Sequence, residues 1–385
     1  MKRGLLVLCS FLLAACSGDD GTTQQLSPVA QLGEQIFRDE NLSASRRMSC
    51  QTCHEPVTGH ASLKDAPAEF GGANLDLQGG RNVPGIRYLR FNGRFHFNAE
   101  DTPTGGFFWD GRVDSLAAQA AGPFLNPVEM AMPSKASVIE RLRQASYAGL
   151  FEAVFGVDIL NDVDRAYERM TFALAQYQRE DEEFAAFTSK YDAYLAGRAQ
   201  LTAQEARGLA LFEDETKGNC AACHPSRPAN GQPPLFTDFT YDALGVPRNS
   251  ELVQNANPAF FDLGLCAREP GDLAARTELC GAFKVPSLRN VALRKRFFHN
   301  GKFNRLRDVV DFYVTRDTEP ARWYPTVNGT VMKFDDLPAA LHGNVNTTEA
   351  PYDRTLGDGP ALTPAEIDDV VAFLQTLTDG WQPGR

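Results

Sequence analysis

Two short segments place metal-ligating and nucleophilic residues side by side: Cys50-Gln51-Thr52-Cys53-His54 and Cys220-Ala221-Ala222-Cys223-His224. C-x-x-C-H is the spacing of c-type haem attachment, in which two thiols bond the porphyrin vinyl groups and the adjacent imidazole gives iron an axial nitrogen. C-x-x-C alone would also serve a redox dithiol or half a zinc site. The chain has only 6 His in 385 residues, so one directly after each pair argues for two covalently bound c-type haems. His54 and His224 are then the iron ligands.

The other cysteines divide by position. Cys266 and Cys280 lie fourteen apart in a loop-like stretch rich in Gly, Pro and charge. A disulfide is expected there in an oxidising compartment, and closing such a loop is worth about 3 kcal/mol in the chain-entropy model. Cys9 and Cys16 fall in a leader. Met1-Lys2-Arg3 is positive, and the apolar run from Leu5 to Ala15 is too short to span a bilayer. Its end, Leu13-Ala14-Ala15-Cys16, resembles a bacterial lipobox. That resemblance implies a signal peptide over 1–16, lipid modification of Cys16, and a periplasmic protein anchored to a membrane. The polar stretch 17–27 reads as a flexible tether.

The elements that position these groups come from the rest of the chain. With 43% hydrophobic and 23% charged residues it can bury a large core. A net charge of −11 argues against nucleic acid as a partner. Gly-x-x-Ile/Leu-Phe-x-Asp-Glu occurs at Gly33 to Glu40 and again at Gly208 to Glu215, ahead of each haem motif. After each motif, Phe107-Phe108-Trp109-Asp110-Gly111-Arg112 and Phe297-Phe298-His299-Asn300-Gly301-Lys302 recur at an offset of 190, each followed by a Leu (Leu116, Leu306). The chain therefore reads as mainly α, with two tandem cytochrome c-like haem domains related by duplication, over 28–195 and 196–385. Helical spacing covers Ala136 to Phe155 and Val163 to Tyr194, and Thr202 with Glu205 forms a capping-box pair. A last helix starts at Thr363-Pro364 with Glu366 at its third position, and Gly380 is expected just past its end.

The duplication also bears on the sixth iron ligand. Tyr313 lies fourteen residues after His299, and the same offset of 190 puts Pro123 in the first domain. A phenolate can ligate iron and a Pro cannot. The comparison expects a closed second haem, held by His224 and Tyr313, and an open first haem on His54. Tyr313 as an ordinary helix residue beside Phe312 remains the alternative.

Across nearly the whole mature chain the sequence resembles the bacterial di-haem cytochrome c peroxidase and MauG family. The matches are both C-x-x-C-H motifs, Phe108-Trp109-Asp110-Gly111-Arg112, and Leu288-Arg289-Asn290 followed by Phe298-His299-Asn300-Gly301. The resemblance implies Trp109 as an electron bridge between the haems. It implies a distal pocket of Gln119, Pro123 and Glu129, which lie ten, fourteen and twenty residues after Trp109. Peroxide activated at a haem iron needs a proton moved from its inner to its outer oxygen before the O–O bond breaks. Glu129 is the acid–base candidate and Gln119 the orienting group.

Peroxidases of the family carry Met where Tyr313 stands, whereas MauG carries Tyr. The peroxidases also place a distal His in a mobile loop after the first haem. His60 is too close to its motif to match it, and Phe70 to Gly80 contains none. Both departures point to the MauG side. The resemblance further implies one calcium ion between the domains, with Asn82 as its side-chain ligand and carbonyls at Arg294 and Arg296. Two extra positive charges there weigh against it. His96 and His342 carry no assigned role, and His299 reads as structural.

These readings expect an enzyme. One version reduces hydrogen peroxide with electrons from a small redox protein, a cytochrome c or cupredoxin. Its rival oxidises side chains of a partner protein. A non-enzymatic di-haem electron carrier has no use for Gln119 and Glu129, and a sensor would need a signalling domain that the sequence does not show.

Overall fold

Helix starts follow the capping chemistry of the sequence. The computed structural model describes residues 25–229 and 231–384, and the signal segment, Cys16 and residues 17–24 of the tether lie outside them. Ser27 caps α1 (Pro28–Arg38), accepting from the Ala30 N–H, and its own N–H and hydroxyl donate to Glu180. The tether therefore ends docked. α2 (Cys50–Cys53) is the first C-x-x-C turn. α3 (Leu116–Leu125), α4 (Lys135–Arg143), α5 (Ala148–Phe155), α6 (Val163–Glu180) and α7 (Lys190–Leu195) follow. The second half holds α8 (Ala203–Glu213), α9 (Leu306–Thr315) and α10 (Pro364–Gln375). Among the described residues, strands occur only as four antiparallel two-residue pairs, at 70–71/77–78, 96–97/103–104, 241–242/283–284 and 326–327/330–331. The architecture is mainly α, and the haem motifs sit in turns between helices.

Three helix expectations are corrected. The segment 136–155 is two helices, because the chain turns at 144–147 to bury Tyr147, whose hydroxyl donates to Asp39 at 2.6 Å. The segment 163–194 breaks after Glu180. Asp181 stops α6, and the turn delivers Phe184 into an aromatic cluster with Phe37, His60 and Tyr177. The last helix ends at Gln375, so Gly380 lies several residues beyond it, at a φ of 82°. In all three, tertiary packing overrides local periodicity.

Two cores result. One gathers Leu32, Ile36, Phe124, Leu142 and Met170 around α1, α3 and α6. The other gathers Phe212, Phe236, Phe312, Val370 and Phe373 around α8, α9 and α10. α7, assigned from sequence to the first domain, puts Tyr191 into the second core and donates the Tyr191 N–H to the Thr376 carbonyl.

The repeated glycines explain themselves at the helix crossings. A Cβ on Gly33 would lie 2.0 Å from the Ala173 carbonyl oxygen on α6, and one on Gly208 would lie 1.9 Å from that of Asp369 on α10. Neither obstacle is a side chain that can rotate away. Gly33→Ala and Gly208→Ala are each expected to cost about 3 kcal/mol by forcing the helix pair apart, read as a lower midpoint in denaturant unfolding. Losses below ~0.5 kcal/mol would mean that the crossings are not tight.

Candidate functional site

Both C-x-x-C-H turns close in the same way. The His54 N–H donates to the Cys50 carbonyl and the His224 N–H to that of Cys220, each at 2.9 Å. Each imidazole then spends Nδ1 on a main-chain carbonyl: His54 on His60 at 3.1 Å, His224 on Phe236 at 2.8 Å. A neutral ring that donates through Nδ1 keeps the Nε2 lone pair for a metal, the usual way in which the surroundings orient a ligating His. Burial favours that neutral form, pushing His54 down to about 4 and lowering His224 as well. The residues therefore fit two haem irons.

They fit the rival chemistries poorly. Burial pushes the thiols of Cys50, Cys53, Cys220 and Cys223 up to about 12, whereas a redox dithiol needs a lowered value.

The segments that follow share a backbone form. The Phe107 N–H donates to the Val113 carbonyl at 2.8 Å, and the Phe297 N–H to that of Phe303 at 2.9 Å. Phe108 and Phe298 have φ near 64° and 63°, Gly111 and Gly301 near 68° and 61°. The two Leu residues of the motif are the first residues of α3 and α9, so Pro123 and Tyr313 stand at the same position of each helix.

One continuous cavity runs through both halves. Its walls include Trp109 and Gln119 at one end and Cys220, Cys223, His224 and Tyr313 at the other. Trp109 is buried. Its indole N–H donates to the Asn82 carbonyl at 2.8 Å, and the Asn82 N–H donates to the His299 carbonyl at 2.7 Å. One residue thus links the two counterpart positions. His299 lies flat on Phe283, ring centres 3.5 Å apart. Below Trp109, Asp110 takes ion pairs from Arg81 at 2.6 Å and Arg112 at 2.9 Å, and Arg81 also grips Asp262. This network holds the loop rigid.

Gln119 is buried against the cavity, with no side-chain hydrogen bond among the described residues. Pro123 sits inside α3 and lacks the N–H that would bond the Gln119 carbonyl, which loosens the helix there. Glu129 lies in the turn after α3 and accepts from the Asn126 amide at 2.7 Å. Its charge is felt at both Cys50 and Cys53, but neither Glu129 nor Pro123 is among the residues that line the cavity with Gln119. Burial is the largest influence and lifts the Glu129 carboxyl above the usual range, against the pull of Arg112 and Asn126.

Tyr313 is enclosed beside Phe298 and Tyr352, with ring centres 5.7 and 5.9 Å away. Burial holds its phenol far above the ordinary value, reinforced by Asp242 and the thiols of Cys223 and Cys220. Asn82 is buried, and its side-chain amide donates to the Arg296 and Phe298 carbonyls. Cys266 and Cys280 are joined in a disulfide. Arg268 in that loop donates to the Gly111 carbonyl at 2.9 Å, bracing the Trp109 loop from outside.

Three residues escaped sequence reasoning. His60 supplies the carbonyl that orients His54, and its buried ring packs on Phe184. Tyr352 flanks Tyr313 beneath the Arg316 guanidinium, 4.4 Å from its ring. Gly71 passes directly under the acid: a Cβ there would meet the Val128 oxygen at 2.3 Å and the Glu129 Cα at 2.8 Å. Gly71→Ala should therefore displace Glu129, slowing peroxide reaction about 100-fold with both haems retained, since a misplacement near 1 Å costs that much. Stopped-flow mixing with peroxide checks this, and an unchanged rate would show that the turn adapts.

An imidazole and a thiol pair at each of two stations, with Trp109 tied through Asn82 to the second half, describe a redox protein with two haem centres. The comparisons agree. The model of the di-haem cytochrome c peroxidase family matches residues 27–200. The methylamine utilization protein MauG of Paracoccus denitrificans is 36% identical over 97% of this chain and 96% of its own length. The cytochrome c551 peroxidase of Nitrosomonas europaea is 30% identical over 75% of this chain and 73% of its own. The crystal structure of the diheme peroxidase BthA from Burkholderia thailandensis superposes with a TM-score of 0.85 at 41% identity, covering 92% of this chain and 87% of that one. The chain belongs to the di-haem cytochrome c peroxidase and MauG family. It is an oxidoreductase acting on peroxide, and membership implies two haems together with a redox partner or protein substrate.

Proposed function

We propose that the chain is a periplasmic di-haem c-type peroxidase in which peroxide reacts at an open first haem and electrons pass through the second from a small redox protein. The observation that carries this is the cavity joining Trp109 and Gln119 to Cys220, His224 and Tyr313, with the carboxyl of Glu129 in the turn just after the helix that bears Gln119. Cys50, Cys53 and His54 would hold one haem; Cys220, Cys223, His224 and Tyr313 the other. Bound there, the haem irons would supply the electrons that reduce peroxide to water. Glu129 takes a proton from the inner oxygen of peroxide and returns it to the outer one, Gln119 fixes the orientation, and Pro123, which has no ligating atom, would leave the iron held by His54 open to peroxide. Trp109 couples the two centres.

The shared backbone forms and twin glycine crossings support two duplicated haem domains, with their seam ahead of α7 rather than after it. The lipobox-like Cys16 supports a lipid anchor, a periplasmic location and hence thiol chemistry suited to covalent haem attachment.

Tyr313 favours the second reading, oxidation of side chains in a partner protein, because an anionic oxygen ligand favours the more oxidised iron over a relay in the ferrous state. The deciding experiment is a visible and near-infrared spectrum of the diferric protein after one equivalent of peroxide. A prompt reaction with a new near-infrared band means oxidising equivalents are shared between the haems and spent on a protein. A reaction that requires prior partial reduction means a donor-dependent peroxidase. No reaction in either state would defeat both readings.

A further inference from the structure

The seam between the two halves carries a cation site of an unexpected kind. Asn82, from the first half, meets the second half entirely as a donor. Its main-chain N–H goes to the His299 carbonyl, and its amide Nδ2 goes to the carbonyls of Arg296 at 3.1 Å and Phe298 at 3.0 Å. Two carbonyls facing one nitrogen fix which end of the amide points at them. The amide oxygen is turned away from those carbonyls.

Arg294, from the second half, reaches into the same place. Its Nε–H donates to the Arg296 carbonyl at 3.3 Å and one terminal nitrogen donates to the Val83 carbonyl at 2.9 Å, across the seam. It has no carboxylate partner among the described residues, and its remaining surface borders the cavity rather than bulk solvent. Burial pulls the guanidinium down to about 10, so it stays charged at neutral pH, close enough to His54 to be felt there. The acids nearest the seam are already engaged: Arg296 holds Asp65 at 2.6 Å and Glu251 at 2.9 Å, one from each half.

Calcium does not fit this arrangement. It needs six to eight oxygens converging at about 2.3–2.6 Å, usually with carboxylates among them. Here the Arg296 carbonyl already accepts twice and the Phe298 carbonyl accepts from Asn82. Arg296 is offset by Asp65 and Glu251, but the Arg294 guanidinium, unpaired among the described residues, would repel a further divalent ion in surroundings of low dielectric.

We propose that the guanidinium of Arg294 is the resident cation of this seam, doing with directed N–H donors what a calcium ion would otherwise do, so that the protein is independent of calcium. Arg294 lines the cavity and its charge is felt at His54, so a carboxylate on a haem held there would be a natural counter-charge. A fixed cation there cannot be removed by a chelator and does not vary with calcium supply.

The test uses the haem-loaded protein and rests on the two-haem reading only for its optical readout. Protein equilibrated with excess calcium chloride and then desalted is assayed for iron and calcium. Iron at two per chain with no calcium is expected, along with an unchanged visible spectrum and melting temperature after EGTA. Stoichiometric calcium, or an EGTA-induced spectral change reversed by calcium, would overturn the proposal; an iron content other than two would count against the two-haem reading instead. Arg294→Gln should lower the melting temperature by about 5 °C or more and lower the potential of the first haem, and Arg294→Lys should restore part of both. A glutamine variant matching the parent in both would also overturn it. If that variant fails to load haem, the metal analysis of the parent protein decides alone.

Discussion

Glu129→Gln is expected to cut the rate of reaction with peroxide by ~10²–10⁴, the usual worth of a placed acid–base group, while both haems remain bound. Gln nearly matches Glu in shape, so the turn at 126–129 and the contact with Gly71 should survive. What it lacks is a site that can take and return a proton. The reaction should also lose its acid limb. Glu129 accepts the first proton only when ionised, and burial lifts its carboxyl above the ordinary range against the pull of Arg112 and Asn126. In the parent protein the rate therefore falls as pH drops through that raised value, and in the variant it should be flat there. The linkage to stability runs the same way. A carboxyl with a raised folded-state value binds its proton more tightly in the native state, so stability declines as pH rises from the ordinary value to the raised one, and Gln removes that decline. Stopped-flow rates across pH decide the matter; an unchanged rate with an unchanged acid limb would move the role to another group.

Much of this site is local in sequence, and that part was legible. Each C-x-x-C-H turn is written in five adjacent residues, and the offsets from Trp109 to Gln119, Pro123 and Glu129 lie within one helix and its exit turn. Capping boxes at Thr202 with Glu205 and Thr363 with Glu366 form as their side chains dictate. The repeated Gly33 and Gly208 were visible as a pattern, but their reason was not, because it lies on α6 and α10, far along the chain.

The illegible part is what the fold brings together from a distance. Gly71 matters through Glu129, Tyr352 through Tyr313, and Arg294 through Val83. None of these pairs has a spacing that sequence reading can recognise. The helix errors have the same origin. Residues 181–189 are good helix material, yet burying Phe184 under His60, with its carbonyl accepting from the Tyr88 N–H at 2.6 Å, outweighs propensity. Pro123, a residue that ordinarily ends a helix, is held inside α3, where its missing N–H loosens the turn after Gln119.

Tyr313→Met tests the other half of the molecule, and the second haem's potential is expected to rise by several hundred millivolts, given that axial ligands and surroundings span about 0.8 V. A phenol enclosed among Phe298, Phe312 and Tyr352, near Asp242, resists losing its proton, and its value is held far above the ordinary one. If Tyr313 is the ligand proposed, the charge that would offset this resistance is that of ferric iron, so its ionisation and the ferric state would support one another and reduction would forfeit that support. A thioether carries no charge and is softer, so it loses nothing on reduction. Met is unbranched and flexible enough to fill the space between Phe298 and Tyr352 without breaking the helix. With the second haem easier to reduce, the variant should behave as a donor-dependent peroxidase: little reaction when diferric, and faster reaction once half-reduced. Spectroelectrochemical titration of parent and variant reads the potential directly, and coincident curves would show that Tyr313 is a core residue of α9 and not a ligand.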